Sequence, residues 1–309
     1  MAIVIIRNDH KTEAWKQALL KADPDLEIFG HDEPHEPKKI DVAMVWKPPQ
    51  GALAKYPSLK CIASLGAGVD FLFEDPSLPT AVPITRVVDP VLASDMSEFV
   101  IGVILAHLKN LLVFKEDQRN SKWLPREYRR IAEVTVGIMG LGEMGRKLAE
   151  DLSNFGFQVL GWARSHKELP GVNCFNGEDG MDTFLSGSDI LVCLLPLTPQ
   201  TRGILNKKLL SKLPKGAYMI NVARGGHLIE EELLQVLDSG HLSGAFLDVF
   251  AQEPLSENHP FWDHPKIDMS PHIASVSDVN SVVPQLLENY RRVQEGRPLL
   301  NLVSKSRGY

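Results

Sequence analysis

Cysteine is scarce in this chain: three in 309 residues, Cys61, Cys174 and Cys193. Odd in number and far apart, they exclude a disulfide framework, and no metal-ligand spacing of Cys, His or acids appears. Cys61 and Cys193 lie in apolar strand-like runs and read as small core residues. Blocks of like charge are also missing. The 33 basic and 39 acidic residues are interspersed and sum to −6, which argues against a nucleic-acid partner or a membrane-surface role. The densest cluster, Arg126-Glu127-Tyr128-Arg129-Arg130, is mixed and reads as a solvated face. No apolar run reads as long enough to span a bilayer. The N-terminal Met1-Ala2-Ile3-Val4-Ile5-Ile6-Arg7 is too short for a signal-peptide core and reads as a first strand. There is no internal repeat of solenoid period and no low-complexity segment. These absences leave a soluble protein of a reducing, cytoplasmic compartment, long enough for two domains with separate cores.

What the chain does have is glycine in an informative place. Gly140-Leu141-Gly142-Glu143-Met144-Gly145 follows the apolar run 134–139 and opens a helix-like stretch, 143–155. G-x-G-x-x-G alone is a weak signal, but between a strand and a helix it has a mechanism. Gly140 permits the tight turn, Gly142 lets the backbone approach a pyrophosphate, and Gly145 lets the helix pack close to the strand. The helix N-terminus then offers free N–H groups and a partial positive charge to the phosphates. The expected ligand is a dinucleotide. The next strand, Phe157-Gln158-Val159-Leu160-Gly161-Trp162, lacks the acid that normally ends it and bonds the ribose 2′-OH; Ala163 stands there, followed by Arg164, Ser165, His166 and Lys167. Arg164 can hold a 2′-phosphate through paired charge-assisted hydrogen bonds, so NADPH is the expected cofactor, with NADH possible.

Strand-like and helix-like runs alternate over most of the chain. Strands are expected at 3–6, 26–29, 42–46 and 59–65, with a helix at 12–22. Pro90 precedes an apolar-periodic run, 91–117, read as one long helix. Alternation resumes with strands at 134–139, 159–162, 190–195, 217–222, 244–249 and 267–270. Helices fit at 143–155, 181–186, 207–213, 230–239 and 277–295. Such alternation implies α/β architecture: two doubly wound parallel sheets with helices on both faces. The final helix is expected to cross back, so that a dinucleotide-binding domain (94–275) is inserted into a first domain (1–93 and 276–309), with a ligand cleft between them.

Three segments at carboxyl ends of expected strands carry groups suited to reducing a ketone, where ligands of such sheets bind. In Asn221-Val222-Ala223-Arg224-Gly225-Gly226, Arg224 can grip a carboxylate and polarise the neighbouring carbonyl. The alkoxide that develops needs a proton donor. An imidazolium beside a carboxylate can supply it, because the anion favours the charged ring and fixes its orientation. Ser270-Pro271-His272-Ile273-Ala274 and Asp248-Val249-Phe250-Ala251-Gln252-Glu253-Pro254 provide His272 and Glu253 as the pair. Asp248 has three open roles: ordering the Arg224 loop, meeting the nicotinamide carboxamide, or an ordinary helix-capping or loop role.

With Leu195-Pro196-Leu197-Thr198-Pro199-Gln200-Thr201, these motifs stand in the order found in D-isomer-specific 2-hydroxyacid dehydrogenases, which the chain resembles over its whole length. Within the family the resemblance is nearest to the NADPH-preferring branch that reduces glyoxylate and hydroxypyruvate, carried by Val45-Trp46-Lys47-Pro48-Pro49, Leu65-Gly66-Ala67-Gly68-Val69-Asp70 and the terminal Arg307-Gly308-Tyr309. It implies a Rossmann domain inserted into a flavodoxin-like substrate domain, Arg224 as carboxylate anchor, His272 as acid/base and Glu253 as its partner. It implies that amides of Leu65, Gly66, Ala67 and Gly68 bind the substrate carboxylate. It also places Leu195, Pro196, Leu197, Thr201, Val222, Ala223 and Ala274 along the cofactor. A homodimer built on the long helix is implied too, with Trp46 walling the substrate and Trp123 reaching a neighbouring subunit's cleft. A lactate- or phosphoglycerate-type dehydrogenase remains an alternative, as does a non-catalytic dinucleotide-sensing protein. Formate dehydrogenase is disfavoured, because it needs an uncharged amide where Glu253 stands.

Overall fold

In the computed structural model, which describes all 309 residues, the first part of the chain folds as β1 (Ala2–Arg7), α1 (Glu13–Ala22), β2 (Glu27–Gly30), β3 (Ile40–Trp46), β4 (Cys61–Ser64), α2 (Asp70–Phe73) and β5 (Ile84–Thr85). The five strands pair in parallel in the order β2-β1-β3-β4-β5, the flavodoxin-like arrangement. Parallel strands covered on both faces read as continuous apolar runs, and Ile3, Val4, Ile5 and Ile6 are all fully buried.

The chain continues with α3 (Pro90–Leu108), α4 (Leu111–Arg119), β6 (Thr135–Met139), α5 (Glu143–Phe155), β7 (Gln158–Ala163), β8 (Val172–Asn176), α6 (Met181–Ser186), β9 (Ile190–Cys193), α7 (Lys207–Leu210), β10 (Ala217–Asn221), α8 (Glu230–Asp238), β11 (Leu242–Leu247) and β12 (Ile267–Met269). Its seven parallel strands run β12-β11-β10-β9-β6-β7-β8, the Rossmann order with one strand added. Period-two alternation sends Leu191, Cys193, Met219, Ala245 and Leu247 into the core on one face. Ile190, Val192, Tyr218, Ile220 and Phe246 enter the core on the other. The last helix, α9 (Val279–Glu295), is capped by Asp278, whose carboxylate accepts from Ser281 N at 2.8 Å. It returns to the first unit, where Tyr290 Oη donates to Met1 O at 2.8 Å. The chain thus divides into Met1–Leu92 with Ser277–Tyr309, and Ala93–Val276.

Three features depart from the sequence expectation. The helix expected at 91–117 is broken between α3 and α4, where Asn110 takes a left-handed conformation and its amide donates to Glu127 O at 3.0 Å. Asparagine tolerates that conformation, and the apolar period on either side hides the break. Next, α3 is long and apolar enough, by length and composition, to cross a membrane, contrary to the reading that no run reaches that length. It buries the stripe Met96, Val100, Ile104, Leu108 in the core and half-buries Ile101, Val103 and Leu105, so both its faces are apolar. Finally, β5, β8 and the four-residue α2 lie outside the expected elements. β5 has only two residues, and β8 lies at the sheet edge with no fully buried position.

Candidate active site

The glycine turn sits at the switch point of the seven-stranded sheet, between β6 and its neighbours β7 and β9. Gly140 is left-handed (φ 108°), and a Cβ there would lie 2.7 Å from Leu194 O. A Cβ on Gly145 would lie 1.8 Å from Gly140 O, so the helix can approach the turn this closely only without one. Gly142, the N-cap of α5, is different: nothing lies within 4 Å of where its Cβ would be, and no side chain caps the helix. A cradle with free helix amides and room for phosphate oxygens fits a pyrophosphate. Leu141 is buried, Met144 half-buried, and Glu143 exposed beside Arg146, 3.0 Å away. At the end of β7, Ala163 is buried while Arg164 and Ser165 are exposed.

The loop after β9 is braced by its own threonines. Thr201 Oγ1 donates to Pro196 O at 2.7 Å and accepts from Thr198 N at 2.9 Å, with Leu195 buried beneath and Leu197 half-buried. After β10, Asn221 is fully buried. Its amide donates to Arg224 O at 3.0 Å and its Oδ1 accepts from Ala223 N at 3.2 Å. His227, also fully buried, donates from Nδ1 to Arg224 O at 3.1 Å. Val222 and Ala223 are buried, and the Arg224 guanidinium donates to Ala223 O at 2.7 Å.

Glu253 and His272 come together across nineteen positions of sequence: His272 Nδ1 donates to Glu253 Oε2 at 2.8 Å. The other carboxylate oxygen accepts from Phe250 N at 3.2 Å. With Nδ1 engaged, Nε2 is the ring atom left for proton exchange. His272 has a left-handed backbone (φ 55°), which a non-glycine residue holds only when its surroundings impose it. Asp248 imposes it. This buried carboxylate accepts from Ser270 Oγ at 2.6 Å, Ile273 N at 2.9 Å and Ala274 N at 3.0 Å, while Asp248 O accepts from His272 N at 2.9 Å. Of the roles left open for Asp248, the loop role is the one its carboxylate fills, ordering the His272 loop; Asn221 and His227 hold Arg224. Asn221 lies in a motif the sequence singles out without giving it a role, and His227 carries no sequence signal.

In the first unit, residues 65–68 follow β4 as a glycine turn, with Ser64 Oγ donating to Gly66 O at 2.9 Å. Leu65 is buried, Gly66 is buried and Ala67 and Gly68 are half-buried. The Trp46 indole lies against this turn: a Cβ on Gly66 would sit 2.3 Å from its ring. Trp123 is 94% exposed, on a segment tied down by Arg126, which reaches Asp117 at 2.7 Å. A hollow of about 660 Å³ lines that segment, formed by Phe114, Trp123 and Leu124 among others and by none of Arg224, Glu253 or His272. Burial pushes the Cys61 thiol up to about 11 and Cys193 up to about 12, so neither serves as a nucleophile near neutral pH.

Residues 101–274 match the profile of the family described as D-isomer specific 2-hydroxyacid dehydrogenase, NAD binding domain. A glyoxylate/hydroxypyruvate reductase A of Yersinia enterocolitica is 40% identical over 87% of this chain and 88% of its own. A D-isomer specific 2-hydroxyacid dehydrogenase of Xanthobacter autotrophicus, solved with NADPH and MES, superposes with a TM-score of 0.95 at 41% identity, covering 100% of this chain and 99% of its own. An NADPH-dependent glyoxylate/hydroxypyruvate reductase of Sinorhizobium meliloti, solved with NADP and sulfate, gives 0.93 at 38% identity, again over 100% and 99%.

Proposed function

Because the chain belongs to the D-isomer-specific 2-hydroxyacid dehydrogenases, we propose that it reduces small 2-keto acids with NADPH, glyoxylate to glycolate and hydroxypyruvate to D-glycerate. The observation that carries this reading is the Glu253–His272 contact at 2.8 Å on a loop clamped by Asp248. NADPH, when bound, supplies the hydride. Residues 140–145 and the N-terminus of α5 would hold its pyrophosphate, Arg164 and Ser165 its 2′-phosphate, and the loop 195–201 would contribute to its site. Arg224 takes the substrate carboxylate in a two-pronged grip and polarises the adjacent carbonyl. His272 gives its Nε2 proton to the developing alkoxide, and Glu253 stays ionised to stabilise the imidazolium before transfer and fix its tautomer. In the first unit, the amides of Leu65, Gly66, Ala67 and Gly68 are suited to bind a carboxylate, with the Trp46 indole packed on that turn.

The protein acts in this reading as a cytoplasmic homodimer. Leu111, Leu112, Val113 and Phe114 of α4, with Trp123 and Leu124, are exposed apolar side chains suited to self-association. The test is initial-rate NADPH oxidation with glyoxylate, hydroxypyruvate, pyruvate and phenylpyruvate, repeated with NADH. Glyoxylate and hydroxypyruvate with NADPH are expected to be fastest. Equal rates with phenylpyruvate, or with NADH, would overturn the assignment of substrate or cofactor respectively.

A further inference from the structure

The Arg224 loop and the Glu253 turn are far apart in sequence, yet the proposed chemistry needs both in fixed register. The structure joins them at two points. A Cβ on Gly225 would lie 1.9 Å from Phe250 C and 2.4 Å from Ala251 N, so the two backbones touch there. Beside this contact, Glu230, the first residue of α8, accepts from Ala251 N through Oε1 at 3.2 Å. Its Oε2 pairs with His259 Nε2 at 3.3 Å, and His259 Nδ1 accepts from Phe261 N at 3.3 Å. That last bond leaves the imidazole hydrogen on Nε2, pointing the His259 donor at Glu230. Both side chains are only 20% exposed.

We propose that Glu230 is a positioning residue for the reaction, holding the Glu253 turn against the Arg224 loop through the backbone amide of Ala251. The reasoning rests on the function proposed above. Ala251 lies between Phe250, whose N–H bonds Glu253 Oε1, and Glu253 itself. A shift of Ala251 therefore carries the carboxylate that orients His272. α8 follows directly from the Arg224 loop, so one carboxylate at its first turn links the substrate anchor to the proton donor. His259, paired with Oε2, fixes which oxygen faces Ala251. A role confined to helix stability would need neither the bond to Ala251 nor the His259 brace.

The test pairs Glu230→Ala with Glu230→Gln and reads two things. The first is steady-state kinetics with NADPH and glyoxylate. Glu230→Ala is expected to lower kcat about tenfold or more, with KM for glyoxylate and the Kd for NADPH changed less than about twofold, because orientation rather than binding is lost. Glu230→Gln keeps an amide oxygen for Ala251 N and is expected to recover kcat to within about threefold of wild type. The second is amide hydrogen exchange, which does not depend on activity: exchange at Phe250 and Ala251 is expected to speed up about tenfold or more in Glu230→Ala while the middle of α8 stays protected. Unchanged exchange at these two amides, or a Glu230→Gln variant as slow as Glu230→Ala, would overturn the proposal. A wild-type chain that reduces no 2-keto acid would instead defeat the functional reading, and the exchange result would still decide whether Glu230 holds the turn.

Discussion

Replacing Gly225 by alanine places a methyl group where the structure has no room for one. The added Cβ would lie 1.9 Å from Phe250 C and 2.0 Å from Phe250 O, both backbone atoms that cannot rotate aside. Ordinary contact begins near 3.4 Å, so the Arg224 loop and the Phe250–Glu253 turn must separate by about 1.5 Å. Glu253 sits three residues beyond Phe250 and holds His272 at 2.8 Å, so the displacement reaches the proposed proton donor directly. A misplacement of about 1 Å costs on the order of a hundredfold in rate, or about 2.7 kcal/mol of transition-state stabilisation. The methyl is also expected to destabilise the fold by about 1–3 kcal/mol, as overpacking does. The assay is NADPH oxidation with glyoxylate at a temperature where circular dichroism shows the variant folded. A kcat within about threefold of wild type in a folded Gly225→Ala variant would refute the claim that the two loops must meet at this spacing.

Two further outcomes follow from the same structure. Arg164→Ala is expected to weaken NADPH binding by about tenfold or more and NADH binding little, because only NADPH carries the 2′-phosphate that a guanidinium grips; equal losses by titration calorimetry would remove Arg164 from that role. His107 stacks on Tyr218 with ring centroids 3.8 Å apart, and burial holds it down to about 4 from its ordinary 6.5. Between those values the unfolded chain binds the proton and the folded chain does not, so stability is complete above about pH 6.5 and is lost as pH falls towards 4. The loss amounts to about 2 kcal/mol at pH 5 and is absent in His107→Phe; parallel pH–stability curves for the two proteins by urea denaturation would contradict it.

Much of the fold was legible because its signals are local. The glycine turn lies between an apolar run and a helix, and the mostly buried strands β1, β3, β6, β9, β10 and β11 are largely continuous apolar stretches. Less local features were hidden. The α3–α4 break turns on one left-handed residue, Asn110, within an apolar period that continues past it. β8 carries only three apolar residues beside two asparagines, none of them fully buried, and takes its place from pairing with β7. The candidate site shows the same division. Arg224, Glu253 and His272 are residue types that announce chemistry at strand ends. The contacts that hold them are not legible: Asp248, singled out with its role open, reaches amides 25 and 26 positions away, and Glu230, with no sequence signal, reaches one 21 positions away. Those contacts exist only once β10, β11 and β12 lie side by side.

The central claim is that His272, held by Glu253, is the proton donor in an NADPH-dependent 2-keto acid reduction. The most direct measurement is single-turnover NADPH oxidation by wild type and His272→Ala mixed with saturating glyoxylate, with NADPH affinity measured separately by fluorescence. The predicted result is a loss of about 10²–10⁴-fold in the rate of the chemical step with NADPH affinity unchanged. A His272→Ala variant that oxidises NADPH at close to the wild-type rate would contradict the account.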